Sequence, residues 1–108
     1  MTRNERTVTL GEEFVRELEL AEKYTGRTVP RRGRQLVSDV MDFVLETLAP
    51  QPFAYPTFPY PAAPNYHLRR AVFHKQYIII YEVSEVEVSF VFFHHTSRSG
   101  PDLTFLEG

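Results

Sequence analysis

Residues 67–98 constrain the fold most strongly, because they contain three strand-like runs joined by short polar connections. Residues 77–81 are apolar at nearly every position, which is typical of a central strand covered on both faces. Residues 86–93 alternate so that one face is wholly apolar. Residues 73–76 and 84–85 predict tight turns between the runs. We therefore expect three consecutive antiparallel strands with histidines and arginines at their ends.

The first half of the chain predicts one short strand followed by two helices. Residues 6–10 are β-prone, and Thr9 with Glu12 has the spacing of a capping box for a first helix. An apolar stripe then recurs at three- and four-residue intervals, and Gly26 is placed to end the helix. The stripe consists of Phe14, Val15, Leu18, Ala21 and Tyr24.

A second amphipathic helix is expected to end near Ala49. Its apolar stripe consists of Leu36, Val37, Val40, Met41, Val44 and Leu48. Because only a short polar connection separates the two helices, an antiparallel hairpin is the natural arrangement. Three arginines, Arg31, Arg32 and Arg34, lie at that connection, either as a solvated helix start or as an anion site. The element order β-α-α-β-β-β predicts an α+β fold, with the hairpin packed on the sheet.

Residues 50–66 form a loop in which six prolines alternate with Phe53, Tyr55, Phe58 and Tyr60. Proline at this density excludes helix and central strand, whereas the aromatic side chains argue against simple disorder. We expect an extended segment lying over an apolar face of the sheet or helices. Occlusion of the sheet face and recognition by a proline-binding module are alternative roles.

The composition of the 108 residues favours a single domain spanning residues 1–108. The absence of cysteine excludes disulfides and thiolate zinc sites, and the four histidines have no carboxylate at ligand spacing, so we expect no metal or other cofactor. No apolar run resembles a signal or a membrane span, which leads us to expect a soluble cytoplasmic protein without a membrane partner. A formal net charge of −2 excludes a broad phosphate-binding face.

Two segments together resemble the RelE/ParE superfamily of toxins from type II toxin–antitoxin modules. They are "LRRAVFHKQYIIIYEV" and, one strand later, "HHTSR". Members of this family have an arginine before a loop, a Tyr-x-Ile-x-Tyr strand and a terminal His-x-x-Arg. Here these features correspond to Arg69 or Arg70, residues 77–81, and His95 with Arg98. The resemblance implies a helical hairpin packed on a curved, mainly antiparallel four-stranded sheet.

The resemblance also implies a growth-inhibiting toxin neutralised by a cognate antitoxin, either ParD-like or RelB-like. ParE-like members bind and poison DNA gyrase and are associated with plasmid stabilisation, whereas RelE-like members cleave mRNA on the ribosome. The chain lacks the abundant lysines and arginines of the cleaving members and has no tyrosine after Tyr81, so the ParE-like reading is favoured. The alternatives are a ribosome-dependent mRNA endonuclease and a non-toxic interaction domain on the same fold.

The candidate site residues fall into three sets. For Arg69 and Arg70, the alternative to a functional role is ordinary cross-strand pairing with Glu82. A nuclease would use His95 for proton transfer, with Arg70 and Arg98 binding the phosphate. Because neighbouring strand residues face opposite sides, His94 and His95 are not expected to share one site. The proposed target-binding set is Arg69, Arg70, Lys75, His94, His95 and Arg98. The proposed antitoxin-binding set is Phe14, Leu18, Val37, Met41 and Phe92.

Overall fold

The computed structural model describes residues 6–97 and 100–107. Its strands and long helices are β1 (Thr7–Leu10), α1 (Glu12–Thr25), α2 (Pro30–Phe43), β2 (Leu68–Phe73), β3 (Tyr77–Val83) and β4 (Glu87–His95). Helix α2 continues into a π-helical turn, and short 3₁₀ turns occupy Pro52–Ala54 and Thr104–Glu107. The predicted order β-α-α-β-β-β is confirmed. Within the described ranges, no helix combines the length and apolar character needed to cross a membrane.

The four strands form one mixed sheet in the order β1-β4-β3-β2. Strands β2, β3 and β4 follow one another in the chain and pair antiparallel. The helical hairpin and the loop after it carry the chain from β1, at one edge of the sheet, to β2 at the other edge, and β1 pairs parallel with β4. The sheet is therefore mainly antiparallel, as predicted. Strand β3 is buried along most of its length, which explains its almost continuous apolar run.

The main core lies between the helical hairpin and one face of the sheet, which we call the helix face. The side chains of Phe14 and Val40 are fully buried there. The Phe14 ring lies 6.0 Å from the rings of both Phe90 and Phe93. Each buried phenylalanine removes a large apolar area from water, so these aromatic contacts fix the hairpin on the sheet.

Helices α1 and α2 are in close backbone contact at Gly33, which is buried. A Cβ atom placed on Gly33 would lie 2.3 Å from the backbone oxygen of Glu22. Only a residue without a side chain permits this approach.

The π-helical turn Val44–Leu48 keeps the apolar stripe of α2 facing the core. An α-helical stripe at four-residue spacing drifts around the helix, because each turn contains 3.6 residues. The wider turn, closed by the bond from the Ala49 N–H to the Val44 carbonyl, compensates for this drift. As a result Val40, Val44 and Leu48 are all fully buried.

Two local predictions from the sequence are wrong. Thr9 does not cap α1: it lies in β1, its hydroxyl donates a hydrogen bond to Glu87, and the N-cap is Gly11. The simple alternation predicted for β4 is interrupted where Ile80 pairs with Phe92 but the next residue of β3 pairs with Phe90. The extra residue forms a β-bulge, and the strand beyond it therefore changes face.

The proline-rich loop runs along the free edge of β2. The Phe58 N–H donates to the Leu68 carbonyl at 2.7 Å, and the Arg70 N–H donates to the Pro56 carbonyl at 3.1 Å. The buried Tyr81 hydroxyl donates to the Pro52 carbonyl at 2.7 Å. These bonds satisfy part of a sheet edge that would otherwise be open to another strand. The expected position over an apolar face is found for Tyr55, Phe58 and Tyr60, whose side chains pack on the two core clusters, whereas Pro52–Ala54 is a 3₁₀ turn and not extended.

The second face of the sheet is covered by residues that the sequence reading did not assign. Leu103, only 1% exposed, packs with Leu68, Ile80 and Phe92. The Tyr60 hydroxyl, on the proline-rich loop, is hydrogen-bonded to the Glu107 carboxylate. The loop and the C-terminal segment thus meet over this face.

Candidate functional site

One end of the sheet gathers Lys75 and His95. The turn between β2 and β3 places His74 and Lys75 at φ values of 52° and 62°, as the central positions of a type I′ turn require. The N–H of Thr96 donates to the Gln76 carbonyl at 2.7 Å, which holds this turn beside the end of β4. The exposed cation of Lys75 therefore lies at the same end of the sheet as His95.

His95 lines a pocket of about 310 Å³ between α1 and the helix face of the sheet. Its Nδ1 accepts a hydrogen bond from the Ser97 backbone N–H at 3.0 Å. The Ser97 hydroxyl oxygen lies 2.7 Å from the same nitrogen. Because an N–H can only donate, Nδ1 is an acceptor, and the proton of the neutral ring is on Nε2. The ring stands edge-on to Tyr77 at 5.1 Å. Leu20 and Tyr24 of α1 form the exposed wall of the pocket.

His94 faces away from this pocket. Its ring is stacked with that of Phe92, with 6.1 Å between the ring centroids. His94 also lines a separate pocket of about 430 Å³, together with Arg16 and Asp102. Hydrogen bonds from Thr104 lower the pKa of the Asp102 carboxyl. The two adjacent histidines thus occupy different pockets, as strand alternation requires.

Arg69 and Arg70 also lie on opposite faces. Arg69 is on the helix face, where its guanidinium donates to the Tyr55 carbonyl at 2.5 Å and lies 5.1 Å from the Phe53 ring centroid. Burial raises the pKa of the neighbouring Tyr81 hydroxyl to about 12, with an opposing contribution from the charge of Arg69. Arg70 is exposed on the second face, beside the C-terminal segment.

The structure does not bring Arg70 and His95 together. Arg70 is in register, through Ile80, with Phe92, which is three residues before His95 on β4. Strand geometry separates the two backbones by roughly 14 Å, and the side chains point to opposite faces. Arg98 lies outside the described residues. Within the described part of the chain, the members of the target-binding set at one end of the sheet are Lys75, His94 and His95, and His94 lines a different pocket from His95.

The predicted antitoxin-binding residues are mostly internal. Phe14 and Leu18 belong to the main core, and Phe92 lies under the C-terminal segment, so a partner cannot reach them in this conformation. Val37 and Met41 are partly buried against the same core. The physical reason is that the apolar stripes of both helices face their own sheet.

The sequence reading missed the surroundings of Phe53. The Phe53 side chain is 58% exposed. The guanidinium carbons of Arg6 and Arg69, which are far apart in sequence, lie 5.2 Å and 5.1 Å from the centroid of its ring. The aromatic content of the loop was the available signal, but nothing in the spacing places Arg6 there. Residues 6–97 and 100–107 contain no cluster of three metal-ligating side chains.

Comparison with known proteins shows the fold. No protein-family model matches the sequence, and no curated protein matches it either. Among solved structures, the chain is similar to a chain of the "Chromosomal ParDE TA system from P. aeruginosa" with a TM-score of 0.68 and 13% sequence identity. The match covers 86% of this chain and 98% of the other. The predicted RelE/ParE-like α+β fold is thereby confirmed.

Proposed function

We propose that this chain is the toxin of a type II toxin–antitoxin pair, that it inhibits growth by binding DNA gyrase, and that a cognate antitoxin neutralises it. The observation that carries the proposal is the fold shared with a chain of a ParDE system over 86% of this chain and 98% of the other. Such a toxin acts in the cytoplasm, where gyrase is found.

The arrangement of cations favours binding over RNA cleavage. Metal-free cleavage needs a proton-transfer group and a cation acting on the same phosphate. His95 and Arg70 lie on opposite faces, and Arg69 lies towards the other end of β2, so neither arginine can act with His95 on one phosphate. Among the described residues, the cation at the His95 end is Lys75, which supplies a single charge and no bidentate clamp. A protein partner, in contrast, needs only a complementary surface and no assembled catalytic group.

We assign target binding to the end of the sheet that carries Lys75 and His95. That end carries both an exposed cation and a pocket with an exposed apolar wall, a combination that suits a protein interface better than isolated charges do. Antitoxin binding is assigned to the outer surface of the helical hairpin around Val37 and Met41. Contact with Phe14, Leu18 or Phe92 would require the core or the C-terminal segment to open.

The test measures gyrase supercoiling in the presence of the purified protein. We expect inhibition with accumulation of cleaved DNA, and at least tenfold weaker inhibition by Lys75→Glu, whose exposed position leaves the melting temperature unchanged. Arg70→Glu is the matched control, because it reverses an exposed charge on the opposite face. Normal supercoiling at saturating protein refutes the gyrase assignment.

Two further measurements separate the alternatives. Transcript cleavage in a translation extract, abolished by His95→Ala, would replace the proposal with a RelE-like nuclease. Forced expression that leaves growth untouched would identify a non-toxic domain. Growth arrest relieved by the neighbouring open reading frame would support the toxin–antitoxin pairing.

A further inference from the structure

The end of the sheet opposite Lys75 carries two guanidinium groups on one exposed aromatic ring. The guanidinium carbons of Arg6 and Arg69 lie 5.2 Å and 5.1 Å from the Phe53 centroid, so they are at most about 10 Å apart. Both are held in place by the backbone: Arg6 Nε donates to the Ser84 carbonyl at 2.7 Å, and Arg69 donates to the Tyr55 carbonyl. Their positions are therefore set before any ligand arrives.

Neither arginine has an acidic partner among the residues that the structure describes, where the ion pairs are those of Arg16. A guanidinium has five N–H donors, and each of these two uses one for the backbone bond. Two like charges have thus been brought close together with most of their donors available. This arrangement favours an anionic ligand.

A pocket of about 220 Å³ is lined by Arg69 and by the Phe53 ring on which Arg6 also lies. Its walls include Phe53, Phe58, Tyr66, Leu68 and Val83, with Arg69 at the side. The pocket is therefore mainly apolar, with the positive charge at its margin. A phosphate backbone would find little to contact inside it, whereas an apolar side chain next to a carboxylate matches both features.

The edge of β2 beside the pocket is already paired with residues 56–58 of the loop. A ligand cannot add a strand there and must be recognised through its side chains. The carboxylate groups of Glu82 and Glu85 on nearby positions, together with the net charge of −2, also disfavour a long polyanion.

We propose that Arg6, Phe53 and Arg69 form a docking cleft for a short acidic segment of a partner protein, which inserts one apolar side chain into the pocket and places adjacent carboxylates against the guanidinium groups. This inference does not depend on the toxin function, since it rests on the geometry of the cleft.

Panning a phage-displayed library of random dodecapeptides on the full chain tests the cleft. The enriched sequences are expected to place Asp or Glu next to a large apolar residue. A labelled synthetic copy of the dominant sequence should lose at least tenfold in affinity, measured by fluorescence polarisation, on Arg6→Glu and on Phe53→Ala. Both substitutions are at the surface, and thermal melting checks that each variant is folded.

The matched control is a second exposed cation–π pair at the C-terminal end of α1, where the guanidinium carbon of Arg27 lies 3.9 Å from the centroid of the Tyr24 ring. Arg27→Glu and Tyr24→Ala should change the affinity less than twofold. The proposal is overturned by failure to enrich acidic peptides, by binding that Arg6→Glu leaves unchanged, or by equal loss in the control variants. Displacement of the peptide by a twelve-residue oligothymidylate would instead assign the cleft to single-stranded nucleic acid. None of these outcomes involves growth or gyrase, so the proposed function stands or falls separately.

Discussion

Replacing Gly33 by alanine tests the closest contact of the helical hairpin, and the sequence and the structure predict opposite results. In a helix interior, alanine is favoured over glycine by about 1 kcal/mol. In this structure the added Cβ would lie 2.3 Å from the Glu22 oxygen and 3.2 Å from the Glu22 carbonyl carbon. The obstacle is the backbone of α1, so a rotamer change cannot relieve it.

The helices must therefore move apart, and both are packed on the same sheet through Phe14 and Val40. Overpacking of this kind costs about 1–3 kcal/mol, and a rigid backbone obstacle places Gly33→Ala at the upper end of that range. After the propensity gain is subtracted, we expect a net loss of about 2 kcal/mol in the free energy of unfolding.

Urea denaturation and thermal melting measure this loss. For a domain of this size, about 2 kcal/mol corresponds to a melting temperature roughly 10 °C lower. Ser38→Ala, at an exposed position of the same helix, is the control and should raise stability by a few tenths of a kcal/mol, about what propensity supplies. A Gly33→Ala variant that melts at or above the parent temperature would refute the close approach of the helices.

Three more predictions are measured by urea denaturation. The double change His74→Asn, Lys75→Gly should stabilise the fold by about 1 kcal/mol, because both positions have positive φ; unchanged stability would contradict the turn. Leu103→Ala should cost about 2 kcal/mol, and the half-exposed control Leu45→Ala clearly less; equal losses would mean that the C-terminal segment is not packed. Burial raises the pKa of Tyr81 to about 12, so its contribution to the free energy of unfolding is present below pH 10 and is lost between pH 10 and 12. Tyr81→Phe should make the free energy of unfolding fall less steeply over that pH range, and an equally steep fall in both proteins would argue against the buried hydroxyl.

The element order could be predicted from the sequence because hydrophobic periodicity is a local property. The stripe from Leu36 to Leu48 and the continuous apolar run of β3 each determine their own secondary structure. The failures occurred where a distant residue decides the outcome. Thr9 has the spacing of a cap, yet Glu87 of the neighbouring strand supplies its hydrogen-bond partner. The bulge in β4 likewise depends on pairing with β3, which alternation within β4 does not reveal.

The candidate site was less predictable than the fold for the same reason. Grouping Arg69, Arg70 and His95 by motif ignored strand alternation, which puts the two arginines on different faces. The antitoxin-binding set was chosen as apolar surface for a partner, but the sequence did not show that the chain itself buries Phe14, Leu18 and Phe92. Leu103 provides the cover for Phe92, and it comes from a segment with no strong periodicity.

The covered parts of the sheet determine where partners can act. The hairpin occupies one face, the C-terminal segment covers the second, and residues 56–58 pair with part of the β2 edge. Apart from the outer edge of β1 and the exposed positions Arg70 and Val72 on the second face, this leaves the two ends of the strands, one with Lys75 and His95 and the other with the cleft around Phe53. The six residue steps of β3 separate these ends by roughly 20 Å. A short peptide in the cleft would therefore leave the proposed target-binding end open, so on the gyrase proposal it should bind without relieving inhibition. An antitoxin that docks on the hairpin around Val37 and Met41 would, on the same proposal, have to extend to His95 in order to cover that end.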